Sequence, residues 1–232
     1  MTTVTGVIGI SSAEHARHAS FYDELSYVDR PPNTIVSHSV GLYISKNRNQ
    51  LSEHALELGA DWIWFVDDDH CFHPDTLTKL LAHDVDIVSG LYVRRTSPFL
   101  PVIYDKETDD GDVEKYHFSA HDTGLKPIVA AGAGCLLVKT KVLKALDPPY
   151  WRFSQRPDGE MVGEDIDFCL RARAKGFNVY CDMDTSVGHL MTVAVYPYQN
   201  GPGNWTLKIL DSHGKLIVAG PAKAYQTKAS GA

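Results

Sequence analysis

The stretch that decides the fold is residues 62–69, WIWFVDDD, in which a five-residue apolar run leads directly into three carboxylates. An apolar run of this length, rich in Trp and Val, is typical of a buried strand in a parallel sheet. Three adjacent aspartates repel one another unless a positive charge lies among them, and hard divalent cations such as Mg²⁺ prefer carboxylate oxygen. Ligands in open α/β sheets bind outside the carboxyl ends of the strands. The stretch therefore predicts metal or phosphate binding there.

The alternative interpretation is an acidic loop that begins a helix. Asp69 or His73 could cap the helix that Pro74 introduces. A single aspartate would favour this interpretation, whereas three in a row directly after a buried strand favour the site.

Length and composition indicate one α/β domain with room for a small appendage. The chain has 232 residues, 44% of them hydrophobic and 22% charged, so a full core can be buried. The net charge of −7 argues against a large nucleic-acid footprint. No apolar stretch approaches the roughly 20 residues of a membrane span, and no signal peptide is evident. The four cysteines are scattered without a C-x-x-C pair, which is typical of reduced thiols in a cytoplasmic protein.

Strands and helices alternate along the first part of the chain. The predicted strands are residues 4–10, 34–37, 62–66 and 86–92, and the predicted helices are residues 13–27, 45–58 and 74–82. This order requires a parallel sheet with crossover helices. Farther on, the pattern predicts short strands at 102–104 and 114–118, helices at 141–146 and 165–175, a strand at 177–181 and a hairpin at 205–219.

Three further groups are candidates for chemistry. Residues 163–167, GEDID, place three carboxylates at a helix start, where simple capping is the alternative role. His189 follows Gly188 near the end of the alternating pattern, and a lone histidine is more often structural. Arg48, before Asn49, is suited to bidentate phosphate or carboxylate contact, with a surface salt bridge as the default.

These motifs in this order resemble a known family. The triplet, then AGAGCLL at 131–137, PPYW at 148–151, GEDIDF at 163–168 and finally His189 resemble a nucleotide-sugar glycosyltransferase of the GT-A fold. The similarity is to glycosyltransferase family 2 and to small phage and bacterial relatives. It implies an α/β fold with a mixed, mostly parallel, Rossmann-like sheet flanked by helices. Residues 1–190 would form this domain, and residues 191–232 a C-terminal extension packed on it.

The resemblance also assigns the ligands of the donor substrate. Asp67, Asp69 and His189 would bind Mn²⁺ or Mg²⁺, and Asp67 could instead reach the ribose or a metal-bound water. The nucleoside-diphosphate sugar would contact a larger set, namely Gly9, Ile10, Ser11, Arg48, Asp67, Asp68 and Gly134. Within that set, residues 9–11 match a base-binding loop, and the glycine-rich loop at 132–135 would let backbone approach the sugar.

The same resemblance assigns the transfer step. Asp165 matches the general base of inverting members, Glu164 would orient acceptor or donor hydroxyls, and Trp151 would offer a stacking face to an acceptor sugar. The cation would neutralise the diphosphate leaving group, and a carboxylate across the anomeric carbon would take the acceptor's proton. The expected activity is hexosyltransferase-like, in the cytoplasm, or the host cytoplasm for a phage protein.

Several alternatives stay open at this point. A retaining transferase of the same fold needs no such base. A sugar-nucleotide pyrophosphorylase would need a glycine-rich, basic first loop, which residues 9–14 lack. A non-catalytic nucleotide- or carbohydrate-binding module and a metal-dependent phosphohydrolase are further possibilities. The acceptor could be a saccharide, a protein side chain or a modified nucleobase in DNA.

Overall fold

The computed structural model describes residues 4–13, 18–108, 112–119, 121–156, 158–199, 201–202 and 205–221. The chain divides into two compact units. The first comprises Met1–Val93 and Pro101–His189, and the second comprises Arg94–Leu100 and Leu190–Ala232. The predicted division at residue 190 and the packing of residues 191–232 on the first domain stay predictions.

The first unit contains strands β1 to β14 and all helices of the described chain. Its strands are β1 (Gly6–Ser12), β2 (Thr34–Val40), β3 (Trp62–Asp67), β4 (His70–Cys71), β5 (Ile87–Leu91), β6 (Ile103–Glu107), β7 (Val113–Lys115), β8 (Leu125–Ile128), β9 (Ala130–Ala131), β10 (Cys135–Lys139), β11 (Ser154–Gln155), β12 (Met161–Val162), β13 (Val179–Ser186) and β14 (Gly188–His189). Its helices are α1 (Ala19–Ser26), α2 (Ile44–Glu57), α3 (Thr76–Ala82), α4 (Thr140–Ala145) and α5 (Glu164–Ala174).

The main sheet is mixed and mostly parallel, which confirms the predicted fold class. Its seven strands lie in the order β2-β1-β3-β10-β5-β13-β8. Strands β1, β2 and β3 are parallel, β5 and β13 are parallel, and β10 runs antiparallel to both β3 and β5. Five of the seven strands therefore share one direction, with β10 and β8 reversed. The apolar run of β3 is buried throughout, as expected for a central strand covered on both faces.

Strand β1 ends at Ser12 instead of at residue 10, so all three residues of the predicted base-binding loop lie within the strand. Gly9, Ile10 and Ser11 belong to β1, not to a base-binding loop, and all of β1 is buried. A Cβ on Gly9 would lie 3.1 Å from the side chain of Ile63, so this glycine faces the core. Pairing with β3 continues to Ser11 and pairing with β2 continues to Ser12, which is why the loop starts later. Residues 14–17, at the start of the predicted helix, lie outside the described residues.

Trp151 is a core residue. Its side chain is 1% exposed, stacks on Phe168 at a ring-centroid distance of 4.1 Å and meets Phe65 edge-on at 4.7 Å. Its indole N–H donates to Ser52 Oγ at 2.9 Å, so the polar end is satisfied internally. The predicted stacking face for an acceptor sugar therefore does not fit this position, because other side chains already cover the ring.

The second unit contains a small antiparallel sheet. Its strands are β15 (Ala194–Gln199), β16 (Trp205–Leu210) and β17 (Leu216–Pro221), in that spatial order. The predicted hairpin at 205–219 is confirmed as β16 and β17, which turn through Asp211 and Gly214. The sequence analysis did not predict β15.

The cysteines of the chain are free thiols. Cys71 is partly buried, and Cys135, Cys169 and Cys181 are fully buried. Burial raises the pKa of Cys135 to about 11 and that of Cys169 and Cys181 to about 12, so these three stay protonated and act as small apolar residues. None of the described helices is both long enough and apolar enough to span a membrane.

We expect Trp151→Ala to lower the free energy of unfolding by about 3–5 kcal/mol, because it empties a buried aromatic cluster. Phe153→Ala is the matched control, since this neighbouring aromatic residue is 51% exposed, and it should change stability by no more than about 0.5 kcal/mol. Urea unfolding measures both. Equal, small losses for the two variants would contradict the core position of Trp151.

Candidate functional site

The candidate site lies where the parallel strands β1 and β3 end. Ser11 and Asp67 are register partners at this edge. Arg48 of α2, Glu164 at the start of α5 and His189 of β14 reach the same edge through contacts with the aspartate triplet or with one another. The structure therefore brings together residues that the sequence pattern placed 19 to more than 100 positions apart.

A buried ion pair joins the first aspartate to the start of α5. The Arg48 guanidinium is 3% exposed, and one of its terminal nitrogens donates to Asp67 Oδ1 at 2.9 Å and Oδ2 at 3.0 Å. The other terminal nitrogen donates to Glu164. Burial alone would lower the pKa of Arg48, but the two carboxylates outweigh burial and raise it above its ordinary value. Arg48 therefore contacts Asp67 and Glu164. Its burial does not favour the predicted direct contact with the nucleoside-diphosphate sugar.

The second aspartate turns toward the ends of β1 and β2. Asp68 is 8% exposed and lies beside the Ser12 hydroxyl, which shares a 2.6 Å hydrogen bond with His38 Nε2. Burial raises the pKa of Asp68, and Ser12 and His38 oppose this rise only in part. Asp68 Oδ2 and Ser11 Oγ are buried without a hydrogen-bond partner among the described residues. Unsatisfied polar atoms of this kind indicate a ligand with complementary groups.

The third aspartate faces two imidazoles. His70 Nδ1 lies 3.1 Å from Asp69 Oδ1, and His189 Nε2 lies 3.4 Å from Asp69 Oδ2. The two imidazole rings stack at 4.4 Å with an interplanar angle of 18°. Burial by itself would raise the pKa of Asp69, but the imidazoles of His189 and His70 outweigh it and hold the pKa well below its ordinary value. The mutual repulsion expected of the triplet is thus reduced, because its members face three different environments.

Strand pairing explains why the two histidines meet. β4 and β14 pair antiparallel, with His70 opposite His189 and Cys71 opposite Gly188. Side chains directly opposite in an antiparallel pair lie on the same face. The sequence analysis identified His189 but missed His70, although His70 directly follows the triplet. The pairing of two such short, distant strands leaves no local pattern.

The tautomer of His189 follows from its backbone contact. Its Nδ1 lies 2.8 Å from the carbonyl oxygen of Val93, which can only accept, so Nδ1 carries the proton and donates. The other ring nitrogen, Nε2, then faces the carboxylate of Asp69 at 3.4 Å.

The group formed by Asp69, His70 and His189 fits a metal ion. One ligand atom from each lies within 4.8 Å of the others. His70 is 1% exposed, and its ring nitrogens meet no hydrogen-bond criterion among the described residues, although Nδ1 lies 3.1 Å from Asp69 Oδ1. Burial of an imidazole is costly unless its nitrogens are satisfied, and ligation of a metal would satisfy one of them. The Nδ1–H contact of His189 with a backbone carbonyl is the usual outer-shell arrangement of a ligating histidine.

Asp67 does not join this group, in contrast to its predicted role as a metal ligand. Both of its oxygens are held by Arg48. Asp67 Oδ2 also lies near the ring of His70, since both flank the position of a Cβ on Gly134, at 3.2 Å and 2.5 Å respectively. Asp67 therefore lies beside the candidate metal centre and fixes its surroundings.

Two carboxylates begin α5. Glu164 is 6% exposed and committed to Arg48, so an orienting contact with an acceptor hydroxyl does not fit its position. Asp165 is partly buried, and its Oδ1 accepts a hydrogen bond from the backbone N–H of Ile166 at 2.8 Å. Burial raises the pKa of both carboxyl groups, and Arg48 opposes the rise. Of the two, Asp165 is the carboxylate that Arg48 does not bind directly.

Tyr92 is a second residue that the sequence analysis missed. Its side chain is 6% exposed, and its hydroxyl oxygen accepts a hydrogen bond from the backbone N–H of Gly134 at 3.1 Å. Burial, with Asp67 and Asp165 nearby, raises the pKa of Tyr92 well above its ordinary value, so the phenol keeps its proton. The backbone N–H of Gly134 is thereby used within the protein, which does not favour the donor contact predicted for this glycine.

The chain is similar to known proteins in sequence and in fold. A family model described as glycosyltransferase-like family 2 matches residues 25–196. Among solved structures, A197 from STIV is similar, with a TM-score of 0.59, 16% identity, and coverage of 93% of this chain and 94% of that one. GalNAc-T7 with UDP, GalNAc and Mn²⁺ has a TM-score of 0.53 and 10% identity, over 81% of this chain and 44% of that one. At these identities, the two structures show the fold alone. A search of curated proteins finds no sequence match.

We expect Arg48→Met to destabilise the protein by about 3–5 kcal/mol, because it leaves Asp67 and Glu164 buried without a counter-charge. Urea unfolding at neutral pH measures the loss. Arg173→Met is the control, since Arg173 pairs with Glu107 at the surface, and it should change little. Equal effects of the two substitutions would show that the Arg48 ion pairs carry no special weight.

Proposed function

Because the chain belongs to the glycosyltransferase-like family 2, we propose that it transfers a sugar from a nucleoside-diphosphate sugar to an acceptor hydroxyl, with a divalent cation held by Asp69, His70 and His189. The observation that carries this proposal is the preformed ligand group, in which His189 Nε2 and His70 Nδ1 converge on the carboxylate of Asp69. The family supplies the reaction, and the group supplies the place where the diphosphate would be bound.

The charge of the site supports a requirement for the cation. One guanidinium, Arg48, compensates carboxylates that outnumber it, namely Asp67, Asp68, Asp69, Glu164 and Asp165. A nucleoside diphosphate would be repelled by this edge of the sheet. A bound divalent cation supplies Lewis-acid stabilisation of the diphosphate leaving group.

The donor atoms favour a transition metal. Two imidazole nitrogens beside one carboxylate oxygen suit transition-metal ions, whereas Mg²⁺ prefers oxygen ligands throughout. GalNAc-T7, a protein of similar fold, is described with UDP and Mn²⁺, so these are the first ligands to test.

The nucleoside would lie beside the second aspartate. The ends of β1 and β2 offer Ser12 and His38, and Asp68 Oδ2 and Ser11 Oγ have unused hydrogen-bonding capacity among the described residues. These are groups that ribose hydroxyls and base N–H groups can satisfy. Asp68 and Ser11 therefore keep their proposed donor-binding role, although Ser11 acts from the end of a strand.

Asp165 would act as the general base of an inverting transfer. Its raised pKa improves its capacity to take the acceptor's proton, and the adjacent Glu164 is already neutralised by Arg48. The cap residue Gly163 leaves space close to the carboxylate, since a Cβ there would lie 2.8 Å from Asp165 Oδ1. A retaining transferase of the same fold would not need this carboxylate.

We expect UDP with Mn²⁺ to raise the melting temperature of the wild-type protein, and Asp69→Ala and His70→Ala each to abolish the rise. Ligand at 100 times its Kd stabilises a protein by about 2.7 kcal/mol, which a thermal-shift assay detects readily. Other nucleoside diphosphates and their sugars, with Mn²⁺ or Mg²⁺, complete the screen and identify the preferred donor.

The control for the histidine variant is His73→Ala. His73 is exposed, lies three residues after His70 and is outside the ligand group. It should leave the Mn²⁺-dependent shift unchanged. A wild-type protein that no nucleotide stabilises, with or without Mn²⁺, would refute the proposed donor site.

We expect Asp165→Asn to lower the rate of sugar transfer by about 10²–10⁴-fold while donor affinity stays near the wild-type value, because the amide cannot accept the proton. A coupled assay of nucleoside-diphosphate release with acceptor present measures the rate, and calorimetry measures affinity. Glu160→Gln, a change at an exposed carboxylate in the preceding hairpin, is the control. Near-normal transfer by Asp165→Asn would exclude the inverting role and favour the retaining alternative.

A further inference from the structure

We propose that Tyr92 is a positioning residue of the metal centre, whose ring and hydroxyl hold His70, His189 and the glycine-rich loop 132–134 in the arrangement that binds the cation. This inference rests on the metal centre of the proposed function. It concerns a residue that is not itself one of the three proposed ligands and that acts through its contacts with the two imidazoles.

The ring of Tyr92 contacts both imidazoles at their edges. Its centroid lies 4.7 Å from that of His70, with an interplanar angle of 88°, and 5.8 Å from that of His189, at 81°. Edge-to-face geometry is directional, so a ring placed this way restricts how each imidazole can rotate. The stacked histidine pair is therefore bounded by one phenol ring.

The backbone that follows Tyr92 gives His189 a further contact. The carbonyl oxygen of Val93, the residue that follows Tyr92, accepts the Nδ1–H of His189 at 2.8 Å. The segment is itself held in place, because the carbonyl of Tyr92 accepts from the N–H of Val102 at 3.1 Å and Val93 forms a bridge with Pro101. Residues 92 and 93 together thus set both the direction and the tautomer of His189.

The hydroxyl of Tyr92 connects the imidazoles to the glycine-rich loop. It accepts from the N–H of Gly134, and a Cβ on Gly134 would lie 2.5 Å from His70 Cε1. A Cβ on Gly132 would lie 2.2 Å from the Tyr92 hydroxyl oxygen and 2.6 Å from Val102 Cγ1. Both glycines are therefore required by rings packed against the loop. This explains the glycine spacing of the loop without a contact to the sugar.

The decisive variant is Tyr92→Phe, which keeps the ring and removes the hydroxyl. It leaves the Gly134 N–H without its acceptor and releases the loop against His70. Loss of an outer-shell partner typically weakens metal affinity by about 10–100-fold, and we expect a loss of that size for Mn²⁺, measured by calorimetry on the full chain without nucleotide. The visible spectrum of bound Co²⁺, which reports ligand geometry, should change as well.

The matched control is Tyr116→Phe. Tyr116 lies in the same unit and also loses a hydroxyl hydrogen bond, which it donates to Asp122 Oδ1 at 2.7 Å. A general effect of lost stability would appear in both variants, whereas a positioning role predicts that Tyr116→Phe keeps wild-type Mn²⁺ affinity and Co²⁺ spectrum. Thermal melting of the metal-free proteins compares their folding directly.

A second variant guards against misfolding of the first. Gly132→Ala keeps Tyr92 but places a methyl group against its hydroxyl, so it should also weaken Mn²⁺ binding and alter the Co²⁺ spectrum. Wild-type affinity and spectrum in both Tyr92→Phe and Gly132→Ala would overturn the inference while the metal centre stands. Absence of Mn²⁺ and Co²⁺ binding by the wild-type protein would overturn the metal centre and this inference together.

Discussion

The concentration of negative charge at one edge of the sheet is the constraint that the rest of the site satisfies. Asp67 ends β3, Asp68 and Asp69 follow it directly, and two further carboxylates begin α5 at the same edge. Arg48 is buried between Asp67 and Glu164, so its positive charge compensates these two carboxylates where water screens the interaction little. The ion pairs of Arg48 with Asp67 and Glu164 hold α2, β3 and the start of α5 together at the site. Asp69 and Asp165 do not take part in these ion pairs. Together with Asp68, they are therefore the carboxylates at this edge that Arg48 does not bind.

The pairing of β4 with β14 places two imidazoles beside Asp69 and so forms the candidate ligand group. Each strand is only two residues long, yet together they place His70 opposite His189, with Asp69 between their nitrogen atoms. The backbone of Val93 fixes which nitrogen of His189 is protonated. A ligand group whose tautomer and ring directions are set before the cation arrives loses little conformational freedom on binding. Preorganisation of this kind explains how a site with few direct ligands could hold a metal firmly.

The sequence was sufficient for the layout of the site but not for the direction of its side chains. The apolar run before the triplet and the acidic start of α5 were recognisable from local patterns, whereas His189, a lone histidine, was assigned its role only through the family resemblance. The different environments of Asp67, Asp68 and Asp69 depend on which elements pack around β3, and no spacing reveals that. His70 and Tyr92 were missed because their roles arise from contacts between distant segments. Trp151 was assigned to the surface wrongly for a related reason, since the local sequence PPYW does not indicate that Phe168, from a distant segment, covers the indole.

The charge balance also implies an order of binding. Before the cation is present, a nucleoside diphosphate meets uncompensated carboxylates, and Arg48 cannot turn toward it without leaving Asp67 and Glu164 unpaired in a buried site. The cation meets the opposite situation, because Asp69 is held ionised and the two imidazoles beside it are already in place. In the proposed site, metal binding should therefore precede donor binding and supply the positive charge that a diphosphate would need. The buried arginine would not replace the cation there, because both of its terminal nitrogens are committed to Asp67 and Glu164.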